Sequence, residues 1–218
     1  MKKVDIAVID YGMGNLRSVS KAIEHVAPNK TVLVTSDAGI INQAGHVVFP
    51  GQGAMPDCMR ELDSRGLRDA VIQAAQTKPF LGICIGLQML FERSEEGDVA
   101  GLDLFSGNVK KFTQDNMRDE NGQKLAQKLK IPHMGWNQVY QDKPHALWAD
   151  IADGERFYYV HSYYVTPLQA NIIAGHSQYP NPFTSAIAHE NLFAVQFHPE
   201  KSAQAGLQLL HNFVNWKP

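Results

Sequence analysis

Cysteine is scarce in this chain. Only Cys58 and Cys84 occur among 218 residues, too few for a disulfide framework. Long apolar runs are missing as well, for nothing approaches the roughly 18 residues of a membrane span. The opening Met1-Lys2-Lys3-Val4-Asp5-Ile6-Ala7-Val8-Ile9-Asp10 breaks its short apolar stretch with acids, unlike a signal-peptide core. Neither charge sign dominates: 20 Lys and Arg stand against 22 Asp and Glu. That balance gives no sequence-independent grip on nucleic acid or an anionic membrane. A cytoplasmic setting, with small molecules or proteins as partners, is therefore expected. None of the 9 histidines shows a His-x-x-x-His pattern and no Cys-x-x-Cys occurs, so neither a metal nor another cofactor is expected.

What is present suits one compact α/β domain over residues 1–218, large enough for its own core. The stretch that organises it is Lys78-Pro79-Phe80-Leu81-Gly82-Ile83-Cys84-Ile85-Gly86-Leu87-Gln88. An apolar strand runs into a cysteine with glycine two residues to either side, the pattern of a nucleophile elbow. In so tight a strand-to-helix turn, a Cβ at Gly82 or Gly86 would collide with neighbouring backbone. The turn lifts the sulfur clear of the sheet and sets it at a helix start, where the dipole favours thiolate. It also offers the N–H of Ile85 to an oxyanion. A lone cysteine is more often a buried small hydrophobe, which is the reading for Cys58.

A second segment, Phe193-Ala194-Val195-Gln196-Phe197-His198-Pro199-Glu200-Lys201-Ser202, tips the reading of Cys84 toward catalysis. A strand is expected to end on His198, Pro199 stops ladder pairing, and Glu200 stands near enough to orient the imidazole. His161 is a rival base, but no carboxylate follows it directly.

From the start of the chain, residues 4–10 read as a strand, and Leu16, Val19, Ile23 and Val26 as one helix face. Gly12 and Gly14 between them lack the third glycine and the lysine of a phosphate cradle. Strands over 31–35 and 46–49 follow, the second running into Pro50-Gly51-Gln52-Gly53, either a plain turn or half of an oxyanion hole. Cys58, Leu62, Leu67, Val71 and Ala75 suggest a helix or helix pair, and the elbow helix is expected to run from Ile85 to about Arg93. Beyond it the βαβ alternation ends. Residues 112–131 are polar, with Asp115, Arg118, Asp119, Glu120, Lys124, Lys128 and Lys130, and read as a solvated hairpin or loop. Short β-rich runs at 108–112, 137–140, 157–165 and 172–176 suggest an antiparallel extension. A hairpin over 184–197 turns at Glu190-Asn191, and a last helix, capped by Ser202, turns Leu207, Leu210 and Val214 inward. Trp136, within His133-Met134-Gly135-Trp136-Asn137, is either a core aromatic or an interface anchor.

Gly82-Ile83-Cys84-Ile85-Gly86-Leu87-Gln88 together with Gln196-Phe197-His198-Pro199-Glu200-Lys201-Ser202 resembles the Cys-His-Glu signature of class I glutamine amidotransferases. Tyr11-Gly12-Met13-Gly14-Asn15-Leu16, the His133–Asn137 run and Tyr159-Val160-His161-Ser162-Tyr163-Tyr164 resemble one branch of them, the glutaminase subunits of imidazole glycerol phosphate synthase. The resemblance spans essentially the whole chain. It implies a flavodoxin-like α/β fold, a mixed and mostly parallel sheet with helices on both faces and an antiparallel extension. It further implies that Cys84 attacks the carboxamide of L-glutamine, that His198 moves protons, and that Glu200 orients His198. Gly51, Gln52 and Gly53 would form the oxyanion strand with Ile85. Many members carry valine where Gln52 stands, a change expected to be tolerated because the contribution comes from backbone. Gln88, Ser162 and Tyr163 would hold the amino-acid end of the substrate. Ammonia would pass to a (β/α)₈-barrel cyclase subunit, HisF, against which Asn15, Trp136 and the loop from Tyr11 to Gly14 would lie. Glutaminase subunits serving pyridoxal phosphate or anthranilate synthesis are rivals, which the His133–Asn137 run disfavours. A non-catalytic module keeping Cys84 as an oxidation sensor is another.

Overall fold

The computed structural model describes residues 4–115, 117–118, 122–123 and 129–218. Its frame is a run of parallel strands: β1 (Ile6–Ile9), β2 (Val32–Thr35), β3 (His46–Gly51) and β4 (Phe80–Cys84). β1 and β4 are buried at every position, as unbroken apolar strands covered on both faces must be. Between them run α1 (Leu16–Val26), α2 (Ala38–Gln43), α3 (Met55–Ser64) and α4 (Arg68–Thr77). The step from β1 to β2 goes one way across the sheet and the step from β2 to β3 goes back past β1. Right-handed crossovers then put α1 on one face and α2 on the other. α2 packs with α4, and α1 with the last helix, α6 (Ala203–Asn215).

After β4 comes α5 (Ile85–Gln88), a single turn, and then β5 (Phe91–Ser94), β6 (Val99–Ala100) and β7 (Phe105–Lys111). The elbow helix therefore stops five residues short of its expected end at Arg93. Phe91, Arg93 and Ser94 pair in parallel with β7, and the Met89 and Phe91 carbonyls accept from Leu102 and Asp103 N–H. Leu87, Met89, Leu90 and Phe91 are all buried, and an unbroken apolar run carries no period to separate helix from strand.

The remaining strands are β8 (His133–Gln141), β9 (Glu155–His161), β10 (Tyr163–Pro167), β11 (Ile173–Gln178), β12 (Pro182–His189) and β13 (Leu192–Val195). Among the described residues the main sheet runs β2-β1-β3-β4-β13-β12-β11-β8-β9, and β10-β7-β5-β6 forms a second sheet. The main sheet is mixed. From β2 to β13 its neighbours are parallel; from β13 to β9 they are antiparallel.

Residues 157–165, expected as one strand, divide at Ser162 between the two sheets. This break explains the aromatics on both faces, since the segment is covered from two sides. The 133–137 run, expected to precede a strand, is the first half of β8. Val19 and Ile23 of α1 are buried while Leu16 and Val26 are half-buried; Cys58, Leu62, Leu67, Val71 and Ala75 are core residues of α3 and α4. The β12–β13 hairpin turns at Glu190, φ 48°, and Asn191. Of the charged run at 112–131, Asp119, Glu120, Lys124 and Lys128 lie outside the described residues. No helix among the described residues is long and apolar enough to cross a membrane.

Candidate active site

β3, β4 and β13 lie side by side, and all three point their C-terminal ends the same way. Ligands of open α/β sheets gather at that edge. In the register, Gly51 stands beside Cys84 on one flank. On the other, the chain leaving β13 carries Gln196 and His198. His198 lies three residues past the strand's end at Val195, where its N–H still bonds the Tyr158 carbonyl at 2.9 Å.

Cys84 adopts φ 57° and ψ −110°, outside the regions open to residues with a side chain and costing on the order of 1–3 kcal/mol. The flanking glycines are required. A Cβ at Gly86 would strike the Phe49 carbonyl, and one at Gly82 would lie 2.9 Å from the Ala194 methyl. A Cβ at Gly51 would run into the Tyr11 hydroxyl and Ile85. The elbow is therefore packed closely from both neighbouring strands, against the Phe49 carbonyl of β3 and the Ala194 methyl of β13.

His198 Nδ1 lies 2.9 Å from Glu200 Oε1, with side-chain exposures of 5% and 1%. Burial pulls the imidazole toward neutrality, but Cys84 and Glu200 overcome it and raise His198 to about 10. Its Nε2 is buried without a hydrogen-bond partner. His161 has no such freedom. Its Nδ1 lies 2.8 Å from the Tyr163 carbonyl, its Nε2 2.8 Å from His133 Nδ1, and burial lowers it to about 3. Both ring nitrogens are engaged, so it is no rival base.

In front of Cys84 opens a cavity of about 270 Å³. Gln52, Gly53, Ile85, Gln88, Ser162, Tyr163 and His198 border it, so the residues expected to meet the substrate converge here with the nucleophile. Gln88 donates to the Tyr163 carbonyl and to Gln196 Oε1, both at 3.0 Å, leaving its Oε1 buried without a hydrogen-bond partner. Two neighbours were not foreseen. Glu96 lies on the cavity wall, with one oxygen bonded to the Met55 N–H at 2.8 Å; it reaches the site only because β5 folds back, which nothing in its neighbourhood foretells. Gln196 points Nε2 at Cys84 Sγ, 3.7 Å away, and stood in plain sight beside His198. Among the described residues, no three His, Cys, Asp or Glu side chains gather in a way that could hold a metal ion.

Asn15 and Trp136 lie apart from the cavity. Asn15 is exposed, and its side chain caps α1 by accepting from Ser18 N–H at 3.4 Å. Trp136 is 48% exposed and Met134, two residues back on β8, 64%; the core reading of Trp136 is excluded. Tyr11, expected on the same outer face, is instead fully buried under Gly51, while Gly12 and Gly14 beside it are exposed. Cys58 is buried, and burial foremost raises its thiol to about 11, which fits a packing role.

Known proteins similar to this chain in sequence or fold are numerous. The "Imidazole glycerol phosphate synthase subunit HisH" of Thiobacillus denitrificans is 65% identical over 99% of this chain and 92% of its own length. The protein of the same name from Dechloromonas aromatica is 63% identical over 98% of this chain and 97% of its own. Among solved structures, PurLQS from Thermotoga maritima superposes with a TM-score of 0.65 at 16% identity, covering 98% of each chain, a likeness of fold alone. The family model "Glutamine amidotransferase class-I" matches residues 7–216. With the match running from the first strand to the last helix, through the Cys84 elbow and the His198 segment, the chain belongs to the class I glutamine amidotransferase family.

Proposed function

We propose that this chain, working as a single domain, is the glutaminase subunit of imidazole glycerol phosphate synthase in histidine biosynthesis, hydrolysing L-glutamine through a Cys84 thioester. The observation that carries the reading is Cys84 and His198 lining one cavity, with Glu200 buried beside the imidazole, 2.9 Å from its Nδ1. The names of relatives at 63–65% identity support the branch.

The sulfur of Cys84 attacks the carboxamide carbon, and the C–N double-bond character is lost as the oxygen becomes an oxyanion. Ile85 N–H and the backbone of Gly51, Gln52 and Gly53 are its donors. Collapse of that adduct breaks the C–N bond. His198, charged at neutral pH, gives its proton to the departing nitrogen, and ammonia leaves with the thioester on Cys84. At this point Cys84 is no longer an anion, so its share of the lift on His198 disappears. The imidazole, now neutral, takes a proton from water as it adds to the thioester; collapse of that adduct breaks the C–S bond, Cys84 leaves as the thiolate, and glutamate is released. One residue thus serves as acid and then as base, with Glu200 holding Nδ1 throughout. Gln88 Oε1 and the Glu96 carboxylate are suited to the substrate ammonium, and the Ser162–Tyr163 segment to its carboxylate.

Ammonia free in neutral water is mostly protonated and no nucleophile, so a sealed transfer to the barrel cyclase HisF preserves its reactivity. There it would be incorporated in making imidazole glycerol phosphate and aminoimidazole carboxamide ribotide. The exposed Met134 and Trp136 on β8, with Asn15 and the glycines of the 11–14 loop, are the surface offered to that partner. Binding would stimulate hydrolysis by turning a peptide of the oxyanion strand toward the developing charge. Glutamate release is measured with the chain alone, with the cyclase, and with cyclase plus its nucleotide ligand. A large rise on mixing is expected; high activity alone, unchanged by the cyclase, would remove both the partner and the activation.

A further inference from the structure

Buried side-chain amides and imidazoles can donate or accept at each end, and a network of them is ambiguous unless something anchors it. Here a backbone carbonyl does. The Tyr163 oxygen only accepts, and two side chains face it: Gln88 Nε2 at 3.0 Å and His161 Nδ1 at 2.8 Å. Both must donate, and every remaining polarity follows.

Along one arm, Gln88 Nε2 spends its second hydrogen on Gln196 Oε1, 3.0 Å away. The Gln196 amide is thereby fixed with its nitrogen toward Cys84 Sγ at 3.7 Å. On the other arm, a neutral His161 with its proton on Nδ1 presents a lone pair at Nε2. It accepts from His133 Nδ1 at 2.8 Å, and His133 Nε2 in turn accepts from Asn137 Nδ2 at 3.3 Å. Asn137 Nδ2 gives its other hydrogen to a second backbone acceptor, the Gln178 carbonyl at 2.9 Å, and its Oδ1 accepts from Gln138 N–H. The chain is thus anchored by an obligatory acceptor in its middle and another at its end. Gln88, Gln196, His133 and His161 are all at most 5% exposed, so water does not compete for these bonds. Burial keeps both imidazoles neutral, His133 at about 4 and His161 at about 3, as the polarity requires.

We infer that Gln196 is a catalytic hydrogen-bond donor to the Cys84 sulfur, held in that orientation by Gln88, the Tyr163 carbonyl and the His161–His133–Asn137 relay as positioning groups. A donor aimed at sulfur stabilises the thiolate more than the thiol. The same relay keeps Gln88 from flipping, so its Oε1 stays turned to the ligand side. The far end of the relay, Asn137, is the neighbour of exposed Trp136 on β8. A buried polar path therefore joins the outer face of the antiparallel extension to the nucleophile. The other titratable groups around Cys84 are His198 backed by Glu200, Tyr11 and Cys58 beneath the neighbouring strand, and Glu96 across the cavity.

The inference rests on Cys84 being the nucleophile, which Cys84→Ala tests separately through loss of glutamine hydrolysis. Alkylation of Cys84 by iodoacetamide does not depend on glutamine chemistry. With Gln196→Met, which keeps length and removes the donor, the midpoint of the alkylation-versus-pH curve is expected to move upward, with a fall in rate of about tenfold on the acid side of that midpoint. His161→Phe, which removes the anchor's second donor, should move the midpoint in the same direction by less and raise KM for glutamine more than it lowers kcat. Should either variant fail to fold, ¹⁵N-imidazole spectra of the unmodified chain give a second test, with both His133 and His161 expected neutral and carrying their proton on Nδ1. An unchanged alkylation midpoint in folded Gln196→Met, or a proton on Nε2 of either histidine, overturns the inference.

Discussion

The imidazole of His198 is flanked by two acids and shielded from water, and these influences oppose each other. Burial alone would discharge it, as it does His161. The charges of Cys84 and Glu200 win and raise it to about 10 from an ordinary 6.5. Replacing Glu200 by Gln keeps a hydrogen bond but removes one of those charges, so the His198 titration should move down, followed by imidazole NMR. kcat should fall on the order of 10³-fold with little change in KM, because the ring loses its orientation and the support for its charged form. Stability carries the same signature. A group whose folded pKa is raised stabilises the fold fully below its unfolded value and loses that contribution as pH rises through the folded value. The wild-type chain should therefore lose unfolding free energy between about pH 6.5 and 10 in excess of the loss seen in Glu200→Gln. Equal slopes across that window would mean that Glu200 does not hold the charge.

Ser202 shows how one element end serves the site. The sequence marks it as the cap of α6, and it does stand at that position, but its hydroxyl makes no capping bond. The oxygen instead donates to the His198 carbonyl at 2.6 Å and accepts from Tyr158 N–H at 2.9 Å, tying the catalytic loop to β9. Ser202→Ala leaves the Tyr158 N–H without its partner and takes one of two donors from the His198 carbonyl, which still accepts from Lys201 N–H at 3.0 Å, at a cost of about 1–3 kcal/mol; denaturant titration measures it, and a loss under half a kcal/mol would show the tie to be idle. At this scale the sequence was legible where pattern and chemistry coincide. The glycines around Cys84 leave no room for a Cβ, and the β1 to β4 alternation carries its own period. It was illegible where burial is complete: Met89, Leu90 and Phe91 form an apolar run too short to show a period, so nothing separates the end of α5 from the start of β5. The break at Ser162 was hidden for the same reason, aromatics being equally at home on either side. Leu207, expected inward, is half-buried because Gly206, Leu209, Leu210, Phe213 and Val214 form the contact face of α6. Glu96 was out of reach altogether, since its place on the cavity wall depends on how β5 and β6 fold back.

Across the whole molecule the two halves of the main sheet divide the labour. The parallel half supplies the elbow and its flanking loops; the antiparallel half supplies the exposed face of β8 and, where β9 hands over to β10 of the second sheet, the second wall of the cavity at 160–163. Trp136 stands on that face with its ring edge-on to Tyr158, centroids 6.1 Å apart, and Met134 beside it. Both are more exposed than Leu33 and Val34 of β2, at 37% and 36%, and adjacent large apolar side chains of this kind suit the partner surface proposed above. The ring is already braced by Tyr158, so little side-chain entropy is lost on docking, and an anchor of this kind is typically worth 2 kcal/mol or more, about thirtyfold in Kd. Trp136→Ala should therefore weaken binding to the barrel cyclase by about that factor while leaving thermal stability near wild type, because the side chain buries little in the free chain. Calorimetric titration reads the first and a melting curve the second. An affinity within about twofold of wild type would move the docking surface off β8, and the polar path from Asn137 to Cys84 would then lead outward to a face that no partner covers.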